Sequence, residues 1–191
     1  MYNFFAYLSR MKNIKRWGLM RNTQDENIKE HSFDVAVIAH ALVLIENKIF
    51  GKNIDENIVM KLALFHEAGE VFTGDIATPI KYFSPELKNA LLLVEENCLE
   101  KLIRMLPVEL QEEYSSLIFH EEAEEYIYVK AADRICAYIK CMEELRSGNH
   151  EFEKAANNIK SSIDAIDLDS VRYFMEKCMP GYSLSLDELN E

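Results

Sequence analysis

Hydrophobic positions along the chain recur mostly at intervals of three and four residues, and the alternation typical of strands is scarce. Six glycines and four prolines interrupt this pattern. The pattern predicts helices over residues 4–12, 28–48, 55–71, 84–106, 107–119, 122–146, 151–163 and 169–177. Loops are predicted at 21–27 and 72–83. The expected fold is therefore all-α, a single helical domain over residues 1–191.

Residues that cap helices mark the predicted starts. Asn27 can cap the 28–48 helix, with Glu30 three residues further on, and Asp55 can cap the next helix. Ser84 followed by Pro85 is another start signal, because a hydroxyl caps well and proline suits the first helical position.

Composition and charge exclude several classes of function. With 191 residues and 49% hydrophobic residues, the chain can bury a substantial core. The net charge of -12 argues against binding to a nucleic-acid polymer or a membrane surface, since both require basic patches. The longest apolar run, at 35–45, is interrupted by His40 and is too short to span a bilayer. Four cysteines without a CxxC pair, and no signal peptide, predict a cytoplasmic protein.

An unusual concentration of ionisable groups lies in the apolar helical stretch 63–70. His66, Glu67 and Glu70 fall within five residues of one another. Burying these groups without partners is costly. A divalent cation would remove much of that cost, because imidazole nitrogen and carboxylate oxygen are both good ligands for such ions. The stretch therefore indicates a metal site.

Two other helices offer matching ligands. His31 lies at the start of the apolar stripe of its helix, and Asp133 shares a helical face with Val129 and Cys136. Three helices thus each carry an ionisable residue on or beside the buried face. Two imidazoles and two carboxylates, with Glu70 as a nearby spare, suit a hydrolytic metal site.

Each of these residues also has a purely structural interpretation. A lone histidine on an apolar helix face is more often a satisfied core residue than a ligand. Asp133 can pair with Lys130 or Arg134, and Glu67 can be a solvated carboxylate on the helix surface. The histidines that we expect to lie outside the site are His40, His120 and His150.

The ordered pattern His31, His66-Glu67, Asp133 resembles the H…HD…D motif of the HD-domain metal phosphohydrolases, which are all-α. Within them, the chain is most similar to the bacterial 5'-deoxynucleotidases of the YfbR type. The runs that carry this similarity are FAYLSRM at 5–11, RWGLMRN at 16–22, ENIKEHS at 26–32, EVFTGD at 70–75, TPIKYF at 78–83, KAAD at 130–133 and LSLDEL at 184–189.

The resemblance implies an HD-type bundle with a metal site between the core helices, and hydrolysis of 2'-deoxynucleoside 5'-monophosphates to deoxynucleosides and phosphate. Glu70 would be the catalytic acid, Arg16 and Trp17 would contact the nucleotide, and Asp75 the sugar. The implied ligands of a divalent ion such as Co²⁺ or Mn²⁺ are His31, His66, Glu67 and Asp133. A homodimer is the expected assembly.

One position departs from the family pattern, since Glu67 stands where the motif has aspartate. We expect the metal to be retained, because glutamate binds the same ions through the same atoms. Two alternatives remain open: a nucleotide-binding or regulatory protein with a weakened site, and an HD hydrolase of another phosphoester. Trp17 can instead be a core aromatic, and Asp75 can simply cap the loop turn after Gly74.

Overall fold

Residues 1–119 and 123–190 are described by a computed structural model. Its helices are α1 Phe4–Leu8, α2 Ile28–Lys48, α3 Glu56–Phe65, α4 Glu70–Thr73, α5 Thr78–Lys81, α6 Pro85–Ile103, α7 Val108–Ile118, α8 Tyr126–Arg146, α9 Glu153–Asp164 and α10 Asp169–Lys177. Short 3-10 helices cover Ser9–Asn13, His150–Phe152, Met179–Ser183 and Glu188–Asn190. These residues contain no β-strand, which confirms the predicted all-α class.

Helices α2, α3 and α8 form the centre of the fold. Their apolar stripes meet in a buried cluster that includes Val35 and Leu42 of α2, Leu62 of α3 and Ile135 of α8. Helix α9 packs against α8, and α10 packs against α2. The core fixes these three helices relative to one another. The residues predicted to hold a metal lie on α2, on α8 and directly after the end of α3.

The predicted caps form. The Asn27 side chain accepts hydrogen bonds from two backbone N–H groups of the first turn of α2, at 3.1 and 3.0 Å. Asp55 does the same for α3 at 2.9 and 3.4 Å. The Ser84 hydroxyl accepts a bond from the Leu87 N–H at 3.2 Å at the start of α6. These caps satisfy N–H groups that have no partner inside the helix.

The prediction that α3 extends to residue 71 is wrong. The helix ends at Phe65, and bonds from Ala68 N–H to Phe65 O and from Glu70 N–H to Glu67 O, at 2.9 and 3.1 Å, form a turn. This turn directs the fully buried Ala68 into a second apolar cluster with Leu102 of α6. Helix α4 then begins at Glu70.

Other boundaries differ in smaller ways. The predicted helix 4–12 is α-helical only as far as Leu8 and continues as a 3-10 helix. The predicted loop 72–83 contains the short helix α5, with Pro79 in its first turn. Helix α8 begins at Tyr126; its predicted start at Glu122, like His120, lies outside the described residues. None of the helices in the described part of the chain is long and apolar enough to cross a membrane.

Candidate metal centre and phosphate site

Four ionisable side chains meet at the core helices. His31 lies in the first turn of α2, His66 and Glu67 directly follow α3, and Asp133 lies in α8. One ligand atom of each residue lies within 4.8 Å of the ligand atoms of the other three. His31 Nε2 is 3.0 Å from Asp133 Oδ1, and His66 Nε2 is 3.4 Å from Glu67 Oε1. The structure therefore brings together all four residues that the sequence suggested as ligands.

The two imidazoles present nitrogen atoms suited to a cation. His66 Nδ1 lies 2.6 Å from Ala63 O. Because a carbonyl oxygen can only accept, Nδ1 carries the hydrogen and Nε2 keeps a free lone pair. His66 Nε2 and His31 Nδ1 are buried without a hydrogen-bond partner in residues 1–119 and 123–190. Each such buried atom costs about 1–3 kcal/mol, so the donor set fits a divalent cation that would remove this cost.

The ionisation states of these groups also suit ligation. Burial lowers the pKa of His66, so its ring is neutral at neutral pH. Desolvation would raise the pKa of Asp133, but His31, His66 and Arg16 outweigh it and hold that pKa below its ordinary value. Neutral imidazole and ionised carboxylate are the forms that bind metals.

Arg16 lies against the same group. Its Nη1 is 3.7 Å from Glu67 Oε1, and its Nη2 is 4.0 Å from Asp133 Oδ1. Its Nε donates a hydrogen bond of 3.1 Å to Glu26 Oε2. The side chain is only 13% exposed, so its charge is held in place beside the four possible ligands. Asp133 thus contacts His31 and Arg16, whereas Lys130 lies with Nζ 4.9 Å from the centre of the Tyr126 ring.

Trp17 and Asp75 are linked directly. Trp17 has a left-handed backbone with φ of 59°, and its N–H donates to Asp75 Oδ2 at 3.1 Å. A left-handed backbone is unfavourable for a bulky residue, so this bond helps to hold the conformation. The Trp17 ring is half-buried, and its centre lies 5.3 Å from the centre of the Phe152 ring. Trp17 Nε1 donates a hydrogen bond to Glu26 Oε2 at 2.9 Å.

Glu70 is a carboxyl group in an environment that favours its neutral form. Burial, reinforced by the nearby carboxylates of Glu67 and Asp75, raises the pKa of Glu70 to about 10. Its Oε2 is buried, and no hydrogen-bond partner for it exists in the described part of the chain. Glu70 therefore carries a proton at neutral pH that it can donate.

The chain is similar in sequence to a family of known enzymes. A sequence model described as 5'-deoxynucleotidase YfbR-like matches residues 3–182. The chain belongs to the YfbR-like family. It is 44% identical over 192 residues to 5'-deoxynucleotidase plu3092 of Photorhabdus laumondii, with 100% of this chain and 98% of the relative covered. It is 45% identical to 5'-deoxynucleotidase YfbR of Escherichia coli O1:K1, with 99% and 96% covered.

Solved structures support the same fold for this YfbR-like chain. An HD-domain phosphohydrolase of Listeria innocua superimposes with a TM-score of 0.82 at 26% identity, covering 98% of this chain and 95% of that one. An HD phosphohydrolase of cyanophage S-2L, bound to dA and one catalytic Zn²⁺ ion, gives a TM-score of 0.61 at 22% identity, with 93% and 95% covered. The predicted HD fold and the predicted family are therefore confirmed.

Two residues of this YfbR-like site were missed at the sequence level. Glu26 accepts hydrogen bonds from both Arg16 and Trp17. Glu144 holds the loop that follows Trp17 by accepting bonds from the backbone of Thr23. Glu26 offered a weak signal, because it directly precedes the helix cap at Asn27. Glu144 offered none, because its partner lies 121 residues away in the sequence.

Proposed function

We propose that this chain hydrolyses 2'-deoxynucleoside 5'-monophosphates to deoxynucleosides and phosphate. The observation that carries the proposal is the position of Arg16, whose two terminal nitrogens lie 3.7 Å from Glu67 and 4.0 Å from Asp133. A guanidinium fork beside a set of metal donors suits the binding of a phosphate monoester. Membership of the YfbR-like family supports the same substrate class.

The proposed ligands of one divalent ion, such as Co²⁺ or Mn²⁺, are His31, His66, Glu67 and Asp133. When bound, such an ion supplies Lewis acidity, lowers the pKa of water and neutralises part of the phosphate charge. Arg16 binds phosphate oxygens, which is important in a chain of net charge -12 that otherwise repels a dianion.

Glu70 is proposed as the general acid. Water adds to phosphorus, the bond from phosphorus to the 5'-oxygen breaks, and the Glu70 proton passes to the departing oxygen. The attacking water gives up one proton to solvent, and Glu70 regains one from solvent, so each turnover consumes one water. In the metal-free protein, burial raises the pKa of Glu70 to about 10, so the carboxyl group holds a proton at neutral pH. Protonation of the leaving oxygen avoids the release of an alkoxide, which is a large part of the barrier in a very slow uncatalysed reaction.

Trp17 and Asp75 are proposed to bind the nucleoside. The partly exposed Trp17 ring offers a flat apolar surface to the sugar or the base. Asp75 uses Oδ2 to hold the Trp17 N–H at 3.1 Å. Its other carboxylate oxygen is proposed to accept a bond from the 3'-hydroxyl, and an apolar wall that leaves a 2'-hydroxyl unpaired would select deoxyribose.

Phosphate release from dAMP and dTMP tests the proposed activity. Chelator-treated protein should be inactive and should regain activity with Co²⁺ or Mn²⁺, with much lower rates on ribonucleotides and on 3'-monophosphates. Equal rates on all these substrates would refute the specificity. Glu70→Ala should bind metal yet lose turnover, whereas Glu112→Ala, at an exposed site on α7, should be unaffected. An active Glu70→Ala variant would remove Glu70 from the mechanism.

A second candidate function rests on Glu67, which replaces the aspartate of the family motif. If the longer side chain prevented proper ligation, the chain would be a nucleotide-binding or regulatory protein with little catalysis. Calorimetry would then show nucleotide binding without phosphate release under any divalent ion, and Glu67→Asp would bring a large gain of activity. The convergence of the Glu67 carboxylate with three other donors within 4.8 Å favours the enzyme.

We also propose that two copies associate and that the protein acts in the cytoplasm. Large apolar side chains are exposed on α6 and just before it: Ile80, Phe83, Leu92 and Leu93. Exposed apolar side chains of this size suit an interface. All four cysteines are free, which suits a reducing compartment. Sedimentation should show a dimer that Leu93→Glu dissociates; a monomeric wild-type protein would refute the assembly.

A further inference from the structure

The Glu26 carboxylate lies where three side chains of the site meet. Its Oε2 accepts hydrogen bonds from Arg16 Nε at 3.1 Å and from Trp17 Nε1 at 2.9 Å. Its Oε1 lies 3.7 Å from His31 Nδ1. Glu26 is 16% exposed at its side chain, so these contacts form away from bulk water.

The backbone fixes Glu26 relative to the same partners. Arg16 N–H donates to Glu26 O at 2.9 Å, and Ile28 N–H donates to Ile14 O at 3.0 Å. Residues 14–16 and 26–28 therefore run side by side. Directly after Glu26, Asn27 caps α2, the helix that carries His31. Glu26 thus connects the segment of the phosphate-binding arginine with the helix of a proposed metal ligand.

His31 needs such a partner. It is fully buried, and its Nε2 faces Asp133 Oδ1 at 3.0 Å. Its Nδ1 forms no hydrogen bond with any described residue, and the Glu26 carboxylate lies within 4 Å of it. A histidine that binds a metal through one nitrogen usually directs the other N–H to a carboxylate, which fixes the tautomer and strengthens the ligand. A shift of about half an ångström would bring this pair into hydrogen-bonding range.

We propose that Glu26 is a positioning residue that couples the nucleotide-binding segment to the metal centre, with one oxygen aligning Arg16 and Trp17 and the other orienting His31. The inference rests on the proposed function and extends it. In this role Glu26 acts through Arg16, Trp17 and His31. It sets the direction of the guanidinium and of the imidazole lone pair relative to each other, so that both act at one point.

Two replacements of Glu26 separate its two roles. In Glu26→Gln, Arg16 and Trp17 both donate towards the same position, so the amide oxygen should occupy it and replace the shared acceptor. The amide NH₂ then faces His31. A donor at that position favours hydrogen on Nε2 of His31, which blocks ligation. Glu26→Met keeps the length of the side chain but offers neither oxygen.

Both readouts are independent of substrate. Co²⁺ affinity, measured by calorimetry, should fall about 10–100-fold in Glu26→Gln and in Glu26→Met. Trp17 is the only tryptophan in the chain, so the tryptophan fluorescence emission of the metal-free protein reports the contact between Trp17 and Glu26. The emission should shift in Glu26→Met and match the wild-type protein in Glu26→Gln. Glu30→Gln, at an exposed position in the first turn of α2, is the matched control and should change neither readout.

Unchanged Co²⁺ affinity in Glu26→Gln would overturn the role toward His31. Unchanged emission in Glu26→Met would overturn the role toward Trp17. A wild-type protein that binds Co²⁺ but hydrolyses no deoxynucleotide would refute the proposed function, while both tests of Glu26 would still give an answer.

Discussion

Replacing Glu144 by alanine is expected to destabilise the protein strongly, because this residue joins α8 to the loop that follows Trp17. Glu144 is 1% exposed and pairs with Lys140, which is 5% exposed. Its oxygens also accept bonds from Thr23 N–H at 2.9 Å, Gln24 N–H at 3.2 Å and Asn149 Nδ2 at 2.8 Å. Alanine removes all of these contacts and leaves the Lys140 ammonium buried.

The expected loss follows from these contacts. Removing one partner of a buried ion pair costs about 3–5 kcal/mol, which for a domain of this size lowers Tm by about 6–20 °C. Desolvation would raise the pKa of Glu144, but Lys140, Asn149 and Thr23 hold it below its ordinary value of 4.5. A depressed pKa stabilises the folded state above 4.5 and less so as the pH falls. The difference between wild-type and variant should therefore shrink in acid.

Thermal unfolding followed by circular dichroism measures this loss. Glu143→Ala, at the adjacent exposed position, is the matched control and should change stability by no more than about 0.5 kcal/mol. The double variant Lys140→Met/Glu144→Leu should recover part of the loss, since it removes both charges but still lacks the acceptor for Thr23 N–H and Gln24 N–H. A Glu144→Ala protein with the Tm of the control would show that this network contributes little, and the reasoning would fail.

Three further predictions concern the site and its supporting helix. Because burial raises the pKa of Glu70 to about 10, the metal-free folded chain binds more protons than the unfolded chain above pH 4.5, and its stability falls with rising pH by up to about 1.4 kcal/mol per unit. Glu70→Gln removes this group, so it should raise Tm relative to the wild-type protein, and the rise should grow from about pH 5 to about pH 9. Glu112→Gln should give no such rise, and a rise that does not depend on pH would contradict the prediction. Arg16→Lys keeps the charge but loses the fork and the Nε bond, so kcat/KM in phosphate release should fall about tenfold to a hundredfold; wild-type activity would exclude bidentate binding. Asn27→Ala removes the cap of α2 and should lower Tm by about 2–4 °C; an unchanged Tm in thermal unfolding would show that the cap is dispensable.

Helix starts were predictable because they depend on neighbouring residues. Asn27, Asp55 and Ser84 each cap the helix that the sequence assigned to them. The end of α3 was not predictable, since apolar residues continue past Phe65 and the periodic pattern does not break there. After the helix ends, Ala68 packs into the cluster with Leu102, a contact that local sequence does not reveal.

The candidate site was also predictable only in part. Helical periodicity placed His31 and Asp133 beside buried faces, and the packing of α2 on α8 brings them to 3.0 Å. Their role as ligands remains a prediction. The contacts of Glu26 and Glu144 depend on how a loop folds back against α2 and α8, and hydrophobic periodicity carries no information about loops.

The end of α3 also changes the meaning of the one departure from the family motif. On a continuous helix, the Glu67 side chain would point about 100° away from that of His66. The extra methylene would then only lengthen a side chain that is directed away from His66. In the turn after Phe65, its Oε1 instead lies 3.4 Å from His66 Nε2 and 3.7 Å from Arg16 Nη1. Shortening the side chain would draw the carboxylate back towards the backbone and away from these partners. If the turn is adapted to glutamate in this way, Glu67→Asp should weaken Co²⁺ binding in calorimetry; tighter binding would show that the longer side chain is a defect.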